Sequence, residues 1–539
     1  MNETPRIIIN WNDVNYKEGE ISLTKLVESN SKIIRDEYIN FIENIPISTT
    51  SNSSLHDRFK IDSKFSLWWM SIIYEKNFYK SPNIENCLKL IALKNYLILE
   101  KNLDIIIINV PTSCKDSIVK LSHNISKKIT ITLQKVNNPR NEFKKFIPLF
   151  LRSIYTLIKY LHSSIKINKT IKKKLSNEKK EILIVSYFIN FNKQEINNNN
   201  FHSDYWGTLV NDLKKEGYSI NWLHMFSSDL SDSKYLKKIN KINLNNNFEY
   251  HYFIESFISL KLFLIVVLKY IKFIFLLLRF YYRKSVLESK INNHFFWDLL
   301  KKDLRNSLLG PNIIKNIFIY LQLREFFSFI PQQKKILYLH EGQGWEKALI
   351  GIANRNRNID LIGVIQSPVR FWDIKLFKSL LDEKKTGYES QLTPNKIAIN
   401  TYNGLDLLEE YGVKKEKIIM VEPLRYKIIN YKSENVNLSE KLSILVLGSY
   451  VKEVTEDLVL IISKLSKELD FDYKFRPHPG QIIQNKFSNF NYDLSKNLSD
   501  AISRHNVMIV AGDSSVAIDV YLAKKELLIY LKKGDLNYS

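Results

Sequence analysis

The chain has 539 residues, of which 45% are hydrophobic and 12% aromatic. It is too long for one ordinary hydrophobic core, so we expect two or more domains, and its apolar content excludes wholesale disorder. Lys and Arg outnumber Asp and Glu by 79 to 56, a formal charge of +23 that favours anionic partners. Ile, Asn and Lys are abundant throughout, as in proteins from AT-rich genomes, so composition explains much of this charge equally well. No basic-aromatic module supports a nucleic-acid partner, and we expect none.

The cysteine content and the N-terminal residues indicate the cellular compartment of the protein. Cys87 and Cys114 are the two cysteines of the chain, and their spacing matches neither a metal site nor a redox motif. The residues around Ile7 and Ile9 contain no long apolar run of the kind that a secretory signal has. We therefore expect a cytoplasmic protein.

The N-terminal part of the chain mixes strand and helix patterns. Ile-rich runs of strand length occur at residues 6–10, 103–110 and 128–133, with a helical pattern at residues 88–101. A second series opens with the apolar run EILIVSY at residues 181–187. It continues with a helix at residues 206–217 and strands at residues 218–223, 335–340, 359–366 and 396–400.

The C-terminal part alternates regularly between strands and helices. Strands are predicted at residues 441–448, 471–475, 506–511 and 526–531, with helices at residues 455–469 and 514–523. Such alternation is typical of βαβ units and a parallel sheet, which predicts the α/β class. The polar run at residues 430–440 is the best linker. We therefore divide the chain into an N-terminal α/β region, residues 1–435, and a C-terminal domain, residues 436–539.

Two inserted segments predict amphipathic helices. Residues 257–283 are highly apolar but carry Lys261, Lys269, Lys272, Arg279 and Arg283 within a sector of roughly 80° at 100° per residue. Each charge at the centre of a membrane-spanning helix costs about 2.5–3.5 kcal/mol. A basic stripe on an apolar helix better fits a helix that lies in the membrane interface, against anionic headgroups.

Residues 146–169 repeat this pattern more weakly, with Arg152, Lys159 and Lys166 at intervals of seven residues. The alternative for both segments is a core or inter-domain helix whose lysines extend their stems along apolar surface. A membrane span is a further, less favoured alternative.

A basic motif and a serine motif follow two strands of the C-terminal domain. In KFRPHPG, residues 474–480, Arg476, Pro477 and His478 stand where one strand ends; in GDSSVAID, residues 512–519, Asp513, Ser514 and Ser515 precede a helix. The carboxyl ends of parallel strands line the ligand crevice, and helix N-termini attract phosphate. These two corners therefore predict a nucleotide-phosphate site, in which His478 neutralises or protonates the leaving group and Arg476 adds a second positive charge.

Each of these residues also has a structural interpretation. Taken alone, His478 is better explained as a turn histidine after a strand, and Asp513 or Ser514 is a routine helix cap. Asp519, one turn into the helix, either orients a partner or forms a structural ion pair.

The N-terminal region offers a candidate base in HEGQGWE, residues 340–346, directly after a strand. Glu341 is our first choice as the base, and Gly342 and Gly344 are expected to let a ligand approach it. Glu346 is expected on a helix surface, and His340 in the core. Further candidates for the same cleft are Gln366, Arg370 and Arg425, each with loop packing as its alternative role.

Several motifs together resemble a known family, the bacterial surface carbohydrate biosynthesis family, which is similar in turn to the GT-B sialyl- and polysialyltransferases. The matching stretches are FSLWWMSIIYEKNF (65–78), YWGTLVNDLKKEGYSINWLH (205–224), HEGQGWEKALI (340–350), IGVIQSPVRFWD (362–373), EPLRY (422–426), FRPHPG (475–480) and GDSSVAIDVYLA (512–523).

The resemblance implies a GT-B-like fold, with two Rossmann-like domains facing a cleft. It implies a CMP-activated nonulosonic or ulosonic acid as donor, with Glu341 as the acidic base, His478 as the phosphate histidine and Ser514 and Ser515 as phosphate-binding serines. This sequence has one acidic residue before Gly342, with His340 where a second would stand, which is a departure from the sialyltransferase pattern.

The sequence hypothesis is therefore an inverting, metal-independent glycosyltransferase of surface polysaccharide synthesis, without a cofactor. The spacing of Asp470 and Asp472 fits a metal motif, but this pair lies at the wrong end of its strand. The expected partners are the nucleotide-sugar donor, a glycan or lipid-linked glycan acceptor, and the inner face of the bacterial membrane. The alternatives are a CDP-polyol phosphotransferase resembling the teichoic-acid polymerases and a non-catalytic membrane-associated scaffold.

Overall fold

The computed structural model describes residues 6–13, 15–46, 54–100, 104–134, 148–171, 181–226, 231–245, 248–282, 294–355, 358–378, 392–424, 442–478, 491–495, 497–512 and 514–537, without the side chains of residues 231–232 and 277–282.

The strands are β1 Ile7–Asn10, β2 Ile21–Ser22, β3 Ile105–Val110, β4 Ile129–Leu133, β5 Ile182–Tyr187, β6 Ile220–Met225, β7 Glu249–Phe253, β8 Lys335–Leu339, β9 Asp360–Val364, β10 Lys396–Ile399, β11 Ile418–Met420, β12 Ser443–Leu447, β13 Asp472–Arg476, β14 Val507–Ala511 and β15 Glu526–Tyr530.

The α-helices are α1 Leu23–Ser29, α2 Ser31–Asn44, α3 Leu55–Arg58, α4 Ile72–Glu75, α5 Asn83–Leu99, α6 Lys115–Asn124, α7 Leu149–Thr170, α8 Lys193–Asn197, α9 Leu209–Lys215, α10 Leu236–Asn245, α11 Leu260–Tyr282, α12 Trp297–Leu309, α13 Pro311–Phe329, α14 Gly344–Ala353, α15 Tyr402–Glu410, α16 Lys452–Glu468, α17 Leu498–Ser503 and α18 Val516–Leu522.

The chain forms two compact units, Met1–Trp11 with Tyr16–Arg425 and Asn12–Asn15 with Tyr426–Ser539. The predicted linker at residues 430–440 lies outside the described residues. Among the described residues, the first of these units contains two sheets, and the second contains one.

A seven-stranded sheet dominates the first unit, in the order β11-β10-β9-β8-β5-β6-β7. All of its pairings are parallel. Strand β5 carries the run ILIVSY, in which five successive residues are buried. Such a continuous apolar run is typical of a strand covered on both faces.

A smaller parallel sheet, in the order β2-β1-β3-β4, lies in the same unit. The predicted Ile-rich runs at residues 6–10, 103–110 and 128–133 form its strands β1, β3 and β4. The two-residue strand β2, which the sequence pattern did not indicate, completes the sheet.

The second unit is a four-stranded parallel sheet with the order β13-β12-β14-β15. Alternate residues of β12 point to opposite faces: Ile444 and Val446 join a core with α16, while Leu445 and Leu447 join a core with α17 and α18. Helices therefore cover both faces, as in a doubly wound, Rossmann-like fold. The predicted α/β class with parallel sheets is confirmed.

The two predicted amphipathic segments are long helices, α7 and α11. Pro148 precedes α7 as its N-cap residue. Proline has no backbone N–H, and at this position none is needed for a helical hydrogen bond. Within the ranges described above, no helix combines the length and the apolarity that crossing a membrane requires.

Candidate active site

The seven-stranded sheet has a topological switch point between β5 and β8. From β5 the chain proceeds to β6 and β7 on one side of the sheet, and from β8 to β9, β10 and β11 on the other. In open α/β sheets, the crevice at such a point, beyond the carboxyl ends of the strands, is the usual ligand site. Tyr187 ends β5, and His340 to Gln343 follow β8. The predicted base Glu341 therefore lies at the switch point.

Helix α14 begins directly after this loop with a capping box. The carboxylate of Glu346 accepts hydrogen bonds from the backbone N–H groups of Glu341 (2.9 Å), Gly342 (3.2 Å) and Gln343 (2.9 Å). It also pairs with Nδ1 of His340 at 2.7 Å. Glu346 is fully buried, so the prediction that it lies on a helix surface is wrong. Glu346 holds the loop that carries Glu341.

His340 is buried, as expected. Its Nδ1 lies 2.7 Å from a carboxylate oxygen of Glu346 and 3.4 Å from the hydroxyl oxygen of Tyr338. His340 thus occupies a structural position under the loop.

The carboxylate of Glu341 is half-buried, and its Oε2 accepts a hydrogen bond from the side-chain amide of Gln343 at 2.7 Å. Burial raises the pKa of Glu341, the carboxylate of Glu346 raises it further, and Lys375, Gln343 and Lys80 oppose the shift. A carboxylate whose pKa is raised above its usual range is a stronger proton acceptor. The direction of this shift is the one that favours a general base.

The two glycines of the loop are needed by the protein's own packing. Gly342 has φ +72°, and a Cβ there would lie 2.8 Å from the carbonyl oxygen of Lys375. A Cβ on Gly344 would lie 2.7 Å from Oε1 of Glu75, which accepts a hydrogen bond from the Gly344 N–H. The glycines therefore make room for protein atoms, which differs from the expectation that they admit a ligand.

The next strand along the sheet, β9, is followed by Gln366 and Arg370. The backbone N–H of Arg370 donates to Asp373 at 2.9 Å, and the Arg370 side chain is half-buried. Gln366 is buried, and within the described part of the chain its Nε2 has no hydrogen-bond partner. Arg425, the other cleft candidate, lies outside the described residues.

In the second unit, three strand ends form a corresponding edge. Strands β13 and β14 pair in parallel with the two sides of β12. The residues that follow them therefore emerge at the same edge of the sheet, about 10 Å apart at two strand spacings. His478 follows β13 and Ser514 follows β14, so the structure brings the two predicted motifs to one edge.

His478 and Pro477 are half-buried at this edge. The ring of Tyr450, which follows β12, meets the His478 ring edge-on with centroids 5.5 Å apart. A Cβ on Gly448 would lie 3.2 Å from the backbone nitrogen of His478. The absence of a side chain at Gly448 therefore allows the loops after β12 and β13 to approach closely.

Arg476 has a partner inside the unit. Its guanidinium donates to Oδ2 of Asp493 at 2.6 Å and to the carbonyl of Ser495 at 2.9 Å. Burial raises the pKa of Asp493, but the Ser495 hydroxyl and Arg476 lower it by more, and the net shift is downward. The Arg476 charge is thus paired, and its evident role is to hold the segment beside β13.

The serine corner precedes α18. Ser515 is the N-cap residue but makes no side-chain capping bond, whereas Oγ of Ser514 accepts from the N–H of Val516 at 3.4 Å. Asp519 is buried in the first turn of α18. Asp513 lies outside the described residues. Of the two residues expected to cap the helix, Ser514 makes this long hydrogen bond to the first turn of α18.

Sequence reasoning missed several residues of both edges. Within the loop that carries Glu341, Gln343 contacts the Glu341 carboxylate. Tyr187 and Glu75 hold this region from outside through Gln343 and Gly344, and Tyr450 packs on His478. Glu75 could have been singled out from the sequence, because it lies in the motif FSLWWMSIIYEKNF, residues 65–78. In the part of the chain that the structure describes, no group of three or more His, Cys, Asp or Glu residues could hold a metal ion.

Comparison with known proteins gave structural similarities alone. No family model matches the sequence, and no curated protein matches it either. Among solved structures, the glycotransferase of kitacinnamycin is similar with 11% identity over 67% of this chain and 82% of that chain, at a TM-score of 0.33.

Two further structures are similar at a TM-score of 0.31. Arabidopsis thaliana UGT89C1 complexed with UDP-L-rhamnose has 12% identity over 66% of this chain and 79% of its own. The structure described as trehalose-6-phosphate from E. coli bound with UDP-2-fluoro glucose has 11% identity over 66% of this chain and 85% of its own. Similarities with TM-scores this low carry no conclusion about the function of this chain.

Proposed function

We propose that this protein is a glycosyltransferase that transfers a nonulosonic or ulosonic acid from a CMP-sugar to a glycan acceptor in surface polysaccharide synthesis. The observation that carries the proposal is Glu341, a carboxylate of raised pKa at the switch point of the seven-stranded sheet. The donor class is what the resemblance to the surface carbohydrate biosynthesis family implies, and the motifs around His478 and Ser514 are part of that resemblance.

The chemical step is an inverting displacement. Glu341 takes the proton of an acceptor hydroxyl while that oxygen attacks the anomeric carbon of the donor. The bond between the anomeric carbon and the phosphate oxygen breaks, and CMP leaves with the electron pair. The products are the glycoside, CMP and a protonated Glu341, which returns its proton to solvent.

The second unit would stabilise the departing phosphate. His478 would donate a proton or a hydrogen bond to it, and Ser514 and Ser515 would bind it together with nearby backbone N–H groups. Because the Arg476 charge is paired with Asp493, we assign Arg476 the role of positioning the residues that follow it. This set of groups supports a metal-independent step.

We further propose that the enzyme acts as a peripheral protein on the inner face of the bacterial membrane, where a lipid-linked glycan acceptor is presented. The support is the pair of long helices α7 and α11, which carry basic residues beside apolar ones.

A donor screen tests the proposal. The full chain would be incubated with CMP-linked nonulosonic and ulosonic acids, CDP-glycerol, UDP-glucose and GDP-mannose, each with a panel of acceptor glycans. Mass spectrometry would detect the product, and NMR the anomeric configuration. Sugar transfer from a CMP-sugar with inversion is expected.

The other outcomes decide against the proposal. Glycerophosphate transfer from CDP-glycerol would identify a polyol phosphotransferase. Transfer from UDP- or GDP-sugars would reject the donor class, and failure to bind any cytidine nucleotide would favour a non-catalytic scaffold.

A further inference from the structure

Helices α7 and α11 both lie against α13 in the first unit. The hydroxyls of Ser153 in α7 and Tyr270 in α11 both donate to the carbonyl of Leu309, at 2.6 and 3.2 Å. Further along α7, Tyr160 donates to Gln322 of α13 at 2.8 Å. The two helices therefore meet near the N-terminus of α13, and each has one side fixed to the unit.

The opposite sides of these helices are exposed and apolar. Large hydrophobic side chains there are between 41% and 76% exposed: Phe150, Leu151, Ile154, Tyr155, Ile158 and Ile165 on α7, and Leu260, Leu264, Leu268, Ile271 and Phe275 on α11. We call these eleven residues the apolar faces. Scattered exposed hydrophobic residues are normal, but an organised set of them marks a contact surface.

The apolar faces are ordered stripes with a basic edge. At 100° per residue the exposed apolar residues occupy a sector of roughly 80° on α11 and roughly 140° on α7. Exposed lysines follow within about 40° of each sector: Lys261 and Lys272 on α11, and Lys159 and Lys166 on α7. On α7 the exposed His162 and Lys169 fall within the sector itself, Lys169 in the last turn of the helix. Neither helix contains an Asp or Glu in its 23 or 22 residues. Both helices thus combine an apolar stripe with positive charge alone.

The structure changes the role of part of the predicted lysine stripe. Lys269 turns toward the protein, where its Nζ donates to the carbonyl of Ile61 at 2.7 Å. Burial and the charges of Lys272 and Arg324 lower the pKa of Lys269. The Arg279 side chain and Arg283 lie outside the described residues. The sector that faces solvent is therefore the apolar one, with Lys261 and Lys272 at its border.

A cavity of about 350 Å³ lies beside this border, between α11 and α13. Lys261, Lys269 and Arg324 line it together with Asp62 and Glu325. Asp62 is already held by Arg355, whose Nη2 lies 3.0 Å from Oδ2. Arg324 also pairs with Asp62, its Nη1 lying 3.8 Å from Oδ2. Of the cations in this cavity, Lys261 and Lys269 are therefore the ones that add positive charge along the edge of the apolar face.

We propose that the apolar faces of α7 and α11 insert into the headgroup region of an anionic lipid bilayer, with the exposed lysines on the lipid phosphates. The choice of the inner leaflet rests on the proposed function, whereas the lipid contact itself does not depend on the donor or the reaction. Amphipathic helices with this combination lie in the plane of the interface.

Charge complementarity selects a bilayer as the occupant. The phosphate plane of an anionic leaflet lies beside its apolar interior, which is the arrangement that an apolar stripe with a lysine edge matches. A second copy of this chain would place lysines against lysines around the same stripe, which is unfavourable. The absence of acidic residues from both helices therefore favours lipid over self-association.

Vesicle flotation of the full chain tests the proposal. Vesicles of phosphatidylcholine alone would be compared with vesicles in which part of the lipid is phosphatidylglycerol. We expect flotation with the anionic vesicles and its weakening at high salt. The double variant Leu264→Gln, Leu268→Gln should bind these vesicles at least tenfold more weakly, and Lys261→Gln, Lys272→Gln should lose the preference for anionic lipid.

Matched controls come from the same unit. Leu244 is 75% exposed outside the two helices, so Leu244→Gln should bind vesicles like the wild type. Lys334 is 66% exposed, and Lys334→Gln should likewise change nothing. Circular dichroism and thermal unfolding would verify that all variants are folded.

The outcomes separate this inference from the proposed function. Wild-type protein that fails to float with anionic vesicles, or Leu264→Gln, Leu268→Gln protein that floats normally, overturns the lipid contact. Dimerisation in sedimentation that the same variant abolishes assigns the faces to a second copy and also overturns it. Flotation without sugar transfer to a soluble acceptor would reject the enzyme proposal while leaving the lipid contact standing.

Discussion

The hydroxyl of Tyr187, at the end of β5, donates to Oε1 of Gln343, after β8, at 2.8 Å. The amide of the same Gln343 donates to Oε2 of Glu341 at 2.7 Å. This chain of hydrogen bonds joins the strands on the two sides of the switch point and fixes the direction of the Glu341 carboxylate. The candidate base is thus positioned by Tyr187 of β5, by Gln343 in its own loop and by the capping box of α14.

Replacing the candidate base should stop the reaction without unfolding the protein. Glu341→Gln keeps the shape of the side chain and its hydrogen-bond acceptor but cannot accept the proton of an acceptor hydroxyl. We expect turnover to fall on the order of 10²–10⁴-fold, with the thermal unfolding temperature retained. Release of CMP and formation of product would be measured together.

The matched control for this variant is Glu416→Gln, because Glu416 is 75% exposed in the same unit. It should turn over like the wild type. Undiminished turnover by Glu341→Gln would remove Glu341 from the mechanism.

The pH profile should report the charge of Lys375. Because a general base works only when deprotonated, kcat/KM is lost as the pH falls through the raised pKa of Glu341. Lys375 lowers this pKa, so Lys375→Gln should raise it and move the acid limb to higher pH. Lys375→Arg retains the cation and should leave the limb in place. An acid limb that stays put or moves to lower pH in Lys375→Gln would contradict this assignment.

A pair of glycine variants should separate backbone strain from a steric clash. Gly342 and Gly217 have φ of +72° and +84°, but an added Cβ meets the Lys375 carbonyl at 2.8 Å in the first case and nothing within 4 Å in the second. Gly217→Ala should cost about 1–2 kcal/mol of unfolding free energy. Gly342→Ala should cost about 1–3 kcal/mol more, because the Lys375 carbonyl must move. Urea unfolding measures both, and equal costs would show that the loop yields without strain.

Glu255 should make the first unit less stable as the pH rises. Burial raises its pKa to about 7, and its Oε1 accepts from the N–H of Phe226 at 2.8 Å. Between its ordinary pKa and about 7, the folded state binds a proton that the unfolded state has released, so stability falls with rising pH. One pKa unit corresponds to about 1.36 kcal/mol, so the free energy of unfolding should fall by on the order of 3 kcal/mol over this range.

Glu255→Gln keeps the acceptor for Phe226 and has no proton to lose, so its stability above neutral pH should exceed that of the wild type. The check is the urea midpoint of both proteins from about pH 5 to about pH 8. Parallel pH dependences would refute a raised pKa at Glu255.

Much of the architecture could be predicted from the sequence, because the parallel strands are continuous apolar runs of characteristic length. The runs at residues 181–187 and 506–511 became β5 and β14 within a residue. Strand β7 was missed because its residues, EYHYF, include charged and polar ones that are buried through partners, such as Glu249 with Trp222.

The positions of the candidate residues were predictable to the extent that strand ends could be located. The structure places Glu341, His478 and Ser514 after strands, as predicted, and their roles remain predictions. The burial of Glu346 was not predictable from the sequence. An acidic residue in the first turn of a helix is usually exposed, whereas here the preceding loop folds over Glu346 and donates backbone hydrogen bonds to it. Likewise, the pairing of Arg476 with Asp493 depends on a segment 17 residues away.

Calorimetric titration of the full chain with CMP, CDP, UDP and GDP tests the central claim most directly, with His478→Ala as the companion variant. The account predicts that CMP binds most tightly and that His478→Ala weakens its binding at least tenfold while leaving the fold intact. Tighter binding of UDP or GDP, or CMP affinity that His478→Ala leaves unchanged, would contradict it.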